Sequence, residues 1–338
     1  MSIYTKRFIS LLVPLTAFFV VLFIVSCALG RYPISPLEVA RLLFIAPFTP
    51  VAGAPVSQGA IVLLQVRLPR IAAAALIGAG LSASGAAYQG LFRNPLVSPD
   101  VLGVSAGAGF GAALGIFFSL GALGITLLSF GLGLVTALAV GLLARRVGND
   151  STLALVLSGI MVGSLLSSAL SFLKLVADPS NVLPAITYWL MGSLSSIKQG
   201  DTLFVLPLIV GALVLLYLLR WRINVLTLGD EEARSLGTAV GLSRVLVIVA
   251  ATLATAASVS VSGMIGWVGL VIPHFARMVG GSDYRYLIPL SMVMGASYLL
   301  LVDDLARLLT TAEIPIGILT SFVGVPFFLY LIRRGRIA

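Results

Sequence analysis

Charge is scarce in this 338-residue sequence: 10% of its residues are Asp, Glu, Lys or Arg, against 59% hydrophobic. Ten long apolar stretches follow one another almost to the C-terminus, and none carries an ionised side chain near its middle. A bilayer core about 30 Å thick takes roughly 20 apolar residues per helix, and a soluble domain has no use for so many. The fold class is therefore all-α, a polytopic membrane protein occupying residues 1–338 as one transmembrane domain. The single cysteine, Cys27, excludes an internal disulfide and any multi-cysteine metal site. With one histidine, His274, no catalytic constellation, cofactor or metal site can be assembled. None of the three lysines follows a glycine, so no G-x-x-x-x-G-K-[ST] loop exists and ATP hydrolysis by the chain alone is excluded.

What is present is arranged by the membrane. The spans are read as Phe8–Leu29, Ile71–Phe92, Val101–Leu120, Ile125–Leu143, Leu153–Leu173, Leu203–Leu219, Ser243–Val261, Met264–Val279, Leu287–Val302 and Ile316–Ile332. With a cytoplasmic N-terminus, an even number of spans returns the C-terminus to the same side. Fourteen of the 21 basic residues then fall on the cytoplasmic side, as the positive-inside rule requires. The net charge of +9 reflects these span ends, so no nucleic-acid partner is expected. Ile24-Val25-Ser26-Cys27 also looks like a lipoprotein cleavage box, but such a leader ordinarily precedes a soluble domain, and a first membrane helix is preferred.

Five spans per half force the two halves to insert with opposite topology, the plan of an inverted repeat. Both halves hold a Gly/Ser-rich second span followed by a proline-containing break, Asn94-Pro95 and Pro273-His274. The 35 glycines read as packing residues, because small side chains let membrane helices approach closely. Between spans, Gly30–Leu64 and Ala177–Asp201 lie outside, the second with a short amphipathic helix within Leu183–Ser196. The polar segment Thr227–Gly241 lies inside, and two short helices broken at Gly237 are expected there, with acidic residues at the first helix start.

Six ordered stretches carry a specific resemblance: RLPR at 67–70, GLFRNPLVSPDVLGVSAGAGFGAALG at 90–115, YWLMGSL at 188–194, LGDEEARSLG at 228–237, GLVIPHFAR at 269–277 and EIPIGILTSFVGVPFFLYLI at 313–332. The chain resembles FecCD-like permease subunits of type II ABC importers, the family that takes up iron-siderophores, haem and cobalamin. The resemblance covers the sequence from about residue 60 onward; the first span and its loop match in hydropathy alone. It implies a bacterial or archaeal cytoplasmic membrane protein that pairs with a second copy or a paralogue. Its other implied partners are cytoplasmic ATPase subunits and a periplasmic or lipid-anchored substrate-binding protein, with a metal chelate as cargo.

The same resemblance assigns residues. Arg67, Arg70 and Arg307 align with outer arginines that dock carboxylates of the binding protein, a task suited to the planar guanidinium fork; anchoring to lipid headgroups is the plain alternative. Leu228, Gly229, Asp230, Glu231, Glu232, Ala233, Arg234, Leu236 and Gly237 align with the segment that enters the ATPase; a solvated loop is the alternative. Asn94 and Leu96, with Ser151 and Thr152, match positions lining the cytoplasmic gate, although Asn, Ser and Thr before a helix are also ordinary caps. His274, placed at the cytoplasmic end of the eighth span, reads as structural. An ion-coupled carrier is the rival of another class, and it would need intramembrane ionisable residues that the spans do not offer. The cargo is read as an iron chelate, siderophore or haem, with cobalamin as the alternative.

Overall fold

The computed structural model describes residues 3–30, 32–45, 57–147 and 151–333. Seven of the described helices are long and apolar enough to cross a membrane: α1 (Ile3–Ala28), α4 (Leu68–Leu91), α6 (Ala122–Val147), α7 (Ser151–Val176), α9 (Gln199–Leu226), α11 (Val240–Ser262) and α13 (Tyr284–Leu308). Three shorter apolar helices, α5 (Val104–Phe117), α12 (Val268–Gly280) and α14 (Ile316–Arg333), complete the set of spans expected from hydropathy. The short helices α2 (Pro36–Ala40), α3 (Gln58–Ile61), α8 (Val182–Leu190) and α10 (Asp230–Ser235) lie in connectors.

α4 stands at the centre and packs against α13, α9, α11 and α12. Its sequence explains why it can. The face toward α13 carries Gly78, where any Cβ would collide with the Gly295 carbonyl, and the face toward α12 carries Gly85, where it would collide with the backbone of Gly269. Glycine costs about 1 kcal/mol of helix propensity relative to alanine, and here it gains backbone-to-backbone contact that no side chain permits. Polar tethers add direction: the Tyr88 hydroxyl lies 2.8 Å from Thr252 Oγ1, and Ser84 Oγ donates to the Ala251 carbonyl at 3.1 Å. The α5–α6 pair repeats the device, with Gly107 against Thr136 and Gly111 against the Leu128 carbonyl.

Two ends of the bundle can be told apart by their contacts. At the near end Phe8 stacks obliquely on Tyr286, and Asn224 Oδ1 accepts from the Tyr284 amide. At the far end Ser26 donates to Asp304, and Thr202 donates to the Pro69 carbonyl. α4 runs from the far end to the near end, whereas α11 starts near Asp230 and ends where the Ser193 amide donates to the Ser262 carbonyl. The long, small-residue helix of each half thus points the opposite way, as an inverted repeat demands. Each is followed by a break and then a short helix, α5 or α12.

Several boundaries differ from the sequence expectation. The second span is entered earlier, through α3 and a π-helical stretch at Val62–Arg67 that continues into α4. The break in the second half is not at Pro273, which is buried inside α12, but at Gly263–Trp267. There Gly263 adopts φ +69° against the Trp189 carbonyl, where a side chain has no room, and Trp267 itself sits at φ +69°. His274 consequently lies mid-helix beside Phe327 rather than at a helix end. Much of the Gly30–Leu64 loop, residues 46–56, lies outside the described residues.

Substituting Gly85→Leu should destabilise the protein by about 1–3 kcal/mol or more, because the backbone of α12 cannot move aside without unpacking α4. Gly141→Ala, which meets open space, should cost nothing and stabilise by up to about 1 kcal/mol. Thermal unfolding of the two variants in detergent checks the contrast, and equal melting temperatures would refute the close-packing account.

Candidate functional site

The near end gathers two segments that the sequence singles out. The first is α10, whose opening turn carries Asp230, Glu231 and Glu232 at the positive end of the helix dipole. Glycines bound it: Gly229 at φ +128° and Gly237 at φ +76°, with the Thr238 amide closing back on the Ala233 carbonyl at 3.0 Å. Ala233 is fully buried and pins the helix, while Leu228 and Leu236 are exposed on either side of it. Arg244, in the first turn of α11, holds Asp230 through Nη2 at 3.0 Å. Arg234 lies in the last turn. The expected pair of short helices is one helix only, since the chain beyond Gly237 passes through a brief turn directly into α11.

The second segment is the break between α4 and α5. Asn94 does not begin a helix: its amide donates to the Gln89 carbonyl and its Oδ1 accepts from the Leu96 amide at 2.9 Å, a local turn. Helix resumes only at Val104, after Gly103 at φ +68°, because the turns through Pro95 and Pro99 cannot be helical. Asp100 Oδ1 accepts from the Ser105 amide and so caps α5. Asn94 and Leu96 are exposed. Thr152 is half-buried in the first turn of α7, and the side chain of Ser151 lies outside the described residues.

A buried residue that sequence reasoning missed holds this break in place. Gln89, in the last turn of α4 and 2% exposed, donates from Nε2 to the Val97 carbonyl at 3.3 Å and to the Leu270 carbonyl of α12 at 3.4 Å. Its Oε1 accepts from Arg277 Nη2 at 2.6 Å. Arg277 lies beside the Tyr284 hydroxyl, and the Tyr284 amide rests on Asn224 Oδ1 at the end of α9. Asp283 caps α13 at that point; partial burial works to raise its carboxyl, but the hydrogen bonds and charge of Arg285 hold it below the ordinary range. Arg93, at φ +50°, directs its guanidinium toward Gly229, so the break begins beside α10. The available signal was a Gln in an apolar helix end, which needs partners when buried.

At the far end lie the three arginines singled out in the sequence. Arg67, Arg70 and Arg307 are not free forks on an open surface; each is at least nine-tenths buried. Arg70 donates from Nε and Nη2 to Asp303, with the shortest contact 2.8 Å, and from Nη1 to Glu313 at 3.0 Å. Arg307 pairs with Asp304 and donates to the carbonyls of Ser26 and Leu29. Arg67 donates to the carbonyls of Cys27, Ala28 and Tyr32, lying against Gly30, where a side chain would strike its guanidinium. The physical reason is that α13 extends past Val302 to Leu308 and carries Asp303 and Asp304 into the protein. Two adjacent acids one turn before an arginine are affordable in such a chain only as pairs.

Gln89→Met should free the break at Val97. With Leu96→Cys as the reporter and Cys27 fully buried, maleimide labelling should accelerate about five-fold, the factor expected from losing one hydrogen bond of ~1 kcal/mol. An unchanged rate would show that Gln89 does not restrain the segment. At the far end, Asp303→Asn should cost about 3 kcal/mol by leaving Arg70 underpaired, while Arg70→Met combined with Asp303→Leu should recover most of it. Melting temperatures of the three proteins decide this, and additive losses in the double variant would contradict it.

The comparisons with known proteins agree with this architecture. The model of the FecCD transport family matches residues 18–334. A molybdate import system permease protein of Haemophilus influenzae is 41% identical over 95% of both chains. A probable iron chelatin transport system permease protein of Helicobacter pylori is 44% identical over 83% of this chain and 85% of its own. A solved inward-facing conformation of a putative metal-chelate type ABC transporter superposes with a TM-score of 0.85 at 36% identity, covering 96% of this chain and 99% of that one. In that family the ATPase is a separate subunit. A ten-span bundle with a glycine-bounded connector helix, a broken segment beside it and a family match over nearly its whole length is a multi-pass permease subunit of an ABC importer, and the chain belongs to the FecCD transport family.

Proposed function

We propose that this permease carries a metal chelate, an iron-siderophore or haem-type complex, inward across the cytoplasmic membrane. The observation that carries the cargo reading is a concavity of about 650 Å³ bordered by Met191, Met264, Trp267, Phe322 and Pro326, with no charged residue in its lining. Such a surface suits a bulky, partly apolar chelate that must be passed on and not retained, whereas a small bare oxyanion would need fixed positive donors. Cobalamin satisfies the same chemistry and is the second reading. The molybdate permease among the relatives makes an oxyanion the outcome to test against.

In this reading the near end is cytoplasmic, with both termini on that side; the excess of basic residues there supports it. The 227–241 segment, with Leu228, Gly229, Asp230, Glu231, Glu232, Ala233, Arg234, Leu236 and Gly237, enters the ATPase subunit. Asn94, Leu96, Ser151 and Thr152 form the cytoplasmic gate, and a second copy or a paralogue completes the pathway. The substrate-binding protein docks over the far end at Arg67, Arg70 and Arg307. Arg307 supports this, because its buried Nε has no hydrogen-bond partner among the described residues and the residue lines an open concavity with Gly30 and Thr310. Docking at Arg70 would exchange the half-exposed Glu313 for a carboxylate of the binding protein.

The test is the reconstituted complex with its ATPase and binding protein, offered a ferric siderophore, haem, cobalamin and molybdate in turn. ATP hydrolysis and uptake should rise with an iron chelate, and stimulation by molybdate alone would overturn the cargo. Glu313→Gln should tighten binding-protein affinity about two- to five-fold at low salt by removing the internal competitor. Unchanged affinity and salt dependence would leave Arg70 with an internal role only.

A further inference from the structure

The strongest unassigned feature is a groove of about 360 Å³ at the near end between α6 and α11, closed at its base by Leu102 and Leu155. Its walls are Leu138, Gly141 and Leu142 from α6 and Val245 and Val249 from α11. Leu138, Leu142, Val245 and Val249 are all exposed on helices long enough to span the bilayer. Val135, Leu138 and Leu142 fall at helical spacing, so the open side of the groove continues an apolar stripe that lipid tails would cover.

One end of the groove is charged and the rest is not. Arg145, in the last turn of α6, and Arg244, in the first turn of α11, both line it. Arg146 follows directly and is exposed. Among the described residues, the carboxylate of Asp230 stands beside these guanidiniums and is paired with Arg244. The N-terminus of the 23-residue α11 adds the positive end of a helix dipole at the same level. An apolar trough capped by excess positive charge at the membrane boundary matches a phospholipid with a net negative headgroup. A zwitterionic lipid fits the trough equally but brings its own cation against the arginines.

We infer that this groove binds an anionic phospholipid, with an acyl chain along Leu138, Gly141, Leu142 and Val249 and the phosphate at Arg145 and Arg244. Because Arg244 also carries Asp230 of α10, the headgroup and the connector helix share one cation.

The full-length protein, purified and exchanged into nanodiscs of phosphatidylcholine with or without phosphatidylglycerol, gives the test by native mass spectrometry. Phosphatidylglycerol should be retained in preference to phosphatidylcholine. Arg145→Gln should lower that preference about five-fold, the worth of one interfacial arginine. Gly141, whose missing side chain faces open space, offers a second variant: Gly141→Phe should fill the trough and abolish retention of either lipid without changing the melting temperature. Equal retention of the two lipids by the unmodified protein, or retention unaltered in Gly141→Phe, would overturn the site. A loss of oligomer mass in Gly141→Phe would overturn it too, because the groove would then be an interface with a second copy.

Discussion

Helices that meet inside a bilayer gain nothing from hiding leucine, since lipid tails are as apolar as the side chain itself. The structure therefore depends on how closely backbones can approach, and α4 is where that constraint is concentrated. Its glycines meet carbonyls of α12 and α13 at points where even a methyl group would not fit. The four helices around it are positioned by that contact. α11 contributes the complementary surface, a nearly unbroken run of buried Ala, Ser and Thr whose hydroxyls donate to carbonyls one turn earlier in the same helix. Small residues with internally satisfied hydroxyls let two helices touch without leaving polar atoms to lipid.

Charge follows the same logic at the far end. Asp303 is fully buried, a position tolerable only because Arg70 reaches it with two nitrogens. Arg67 solves a different problem, capping the carbonyls that α1 leaves unpaired where it ends at Ala28. The result ties α1, α4 and α13 into one rigid rim. In that rim the guanidiniums are already held in place and keep little side-chain freedom.

The sequence showed most of this, and the places where it did not have identifiable causes. Ten spans and their order were legible because hydropathy averages over some twenty residues and tolerates error at each end. Span nine was ended at Val302 because Asp303-Asp304 looks like a boundary; that two acids continue a helix inward is knowable only when their partners are seen, Arg70 and Ser26 more than two hundred residues away and Arg307 one turn ahead. Asn94-Pro95 looked like a helix start because Asn and Pro favour that position, yet Pro99 and Gly103 downstream keep the chain in turns as far as Val104. The arginines were picked out correctly as unusual, but their burial depends on α13 continuing. Gln89 offered only the weak signal of a single amide at an apolar helix end, with no periodic pattern to single it out.

These corrections converge on the near end. A permease whose ATPase is a separate subunit has to transmit a displacement from that subunit into its own helices. Physical coupling requires contiguous groups with more than one arrangement. From the end of α9, the helix that leads into α10, Asn224 supports the start of α13 at Tyr284; Tyr284 adjoins Arg277; Arg277 holds Gln89; and Gln89 holds the carbonyls of Val97 and Leu270. Arg93 offers a second, shorter contact from the other side, lying close to Gly229 where the chain turns into α10. Glycines at 229 and 237 set α10 apart from α9 and α11, while Ala233 and the Arg244–Asp230 pair hold it against them. The Gln89 contacts to Val97 and Leu270 are 3.3 Å and 3.4 Å, long for an amide donor, and longer than the 2.6 Å link to Arg277. In a polar chain the longest bonds yield first. The weaker contacts are therefore those between Gln89 and the broken segment, and the stronger is the one to Arg277.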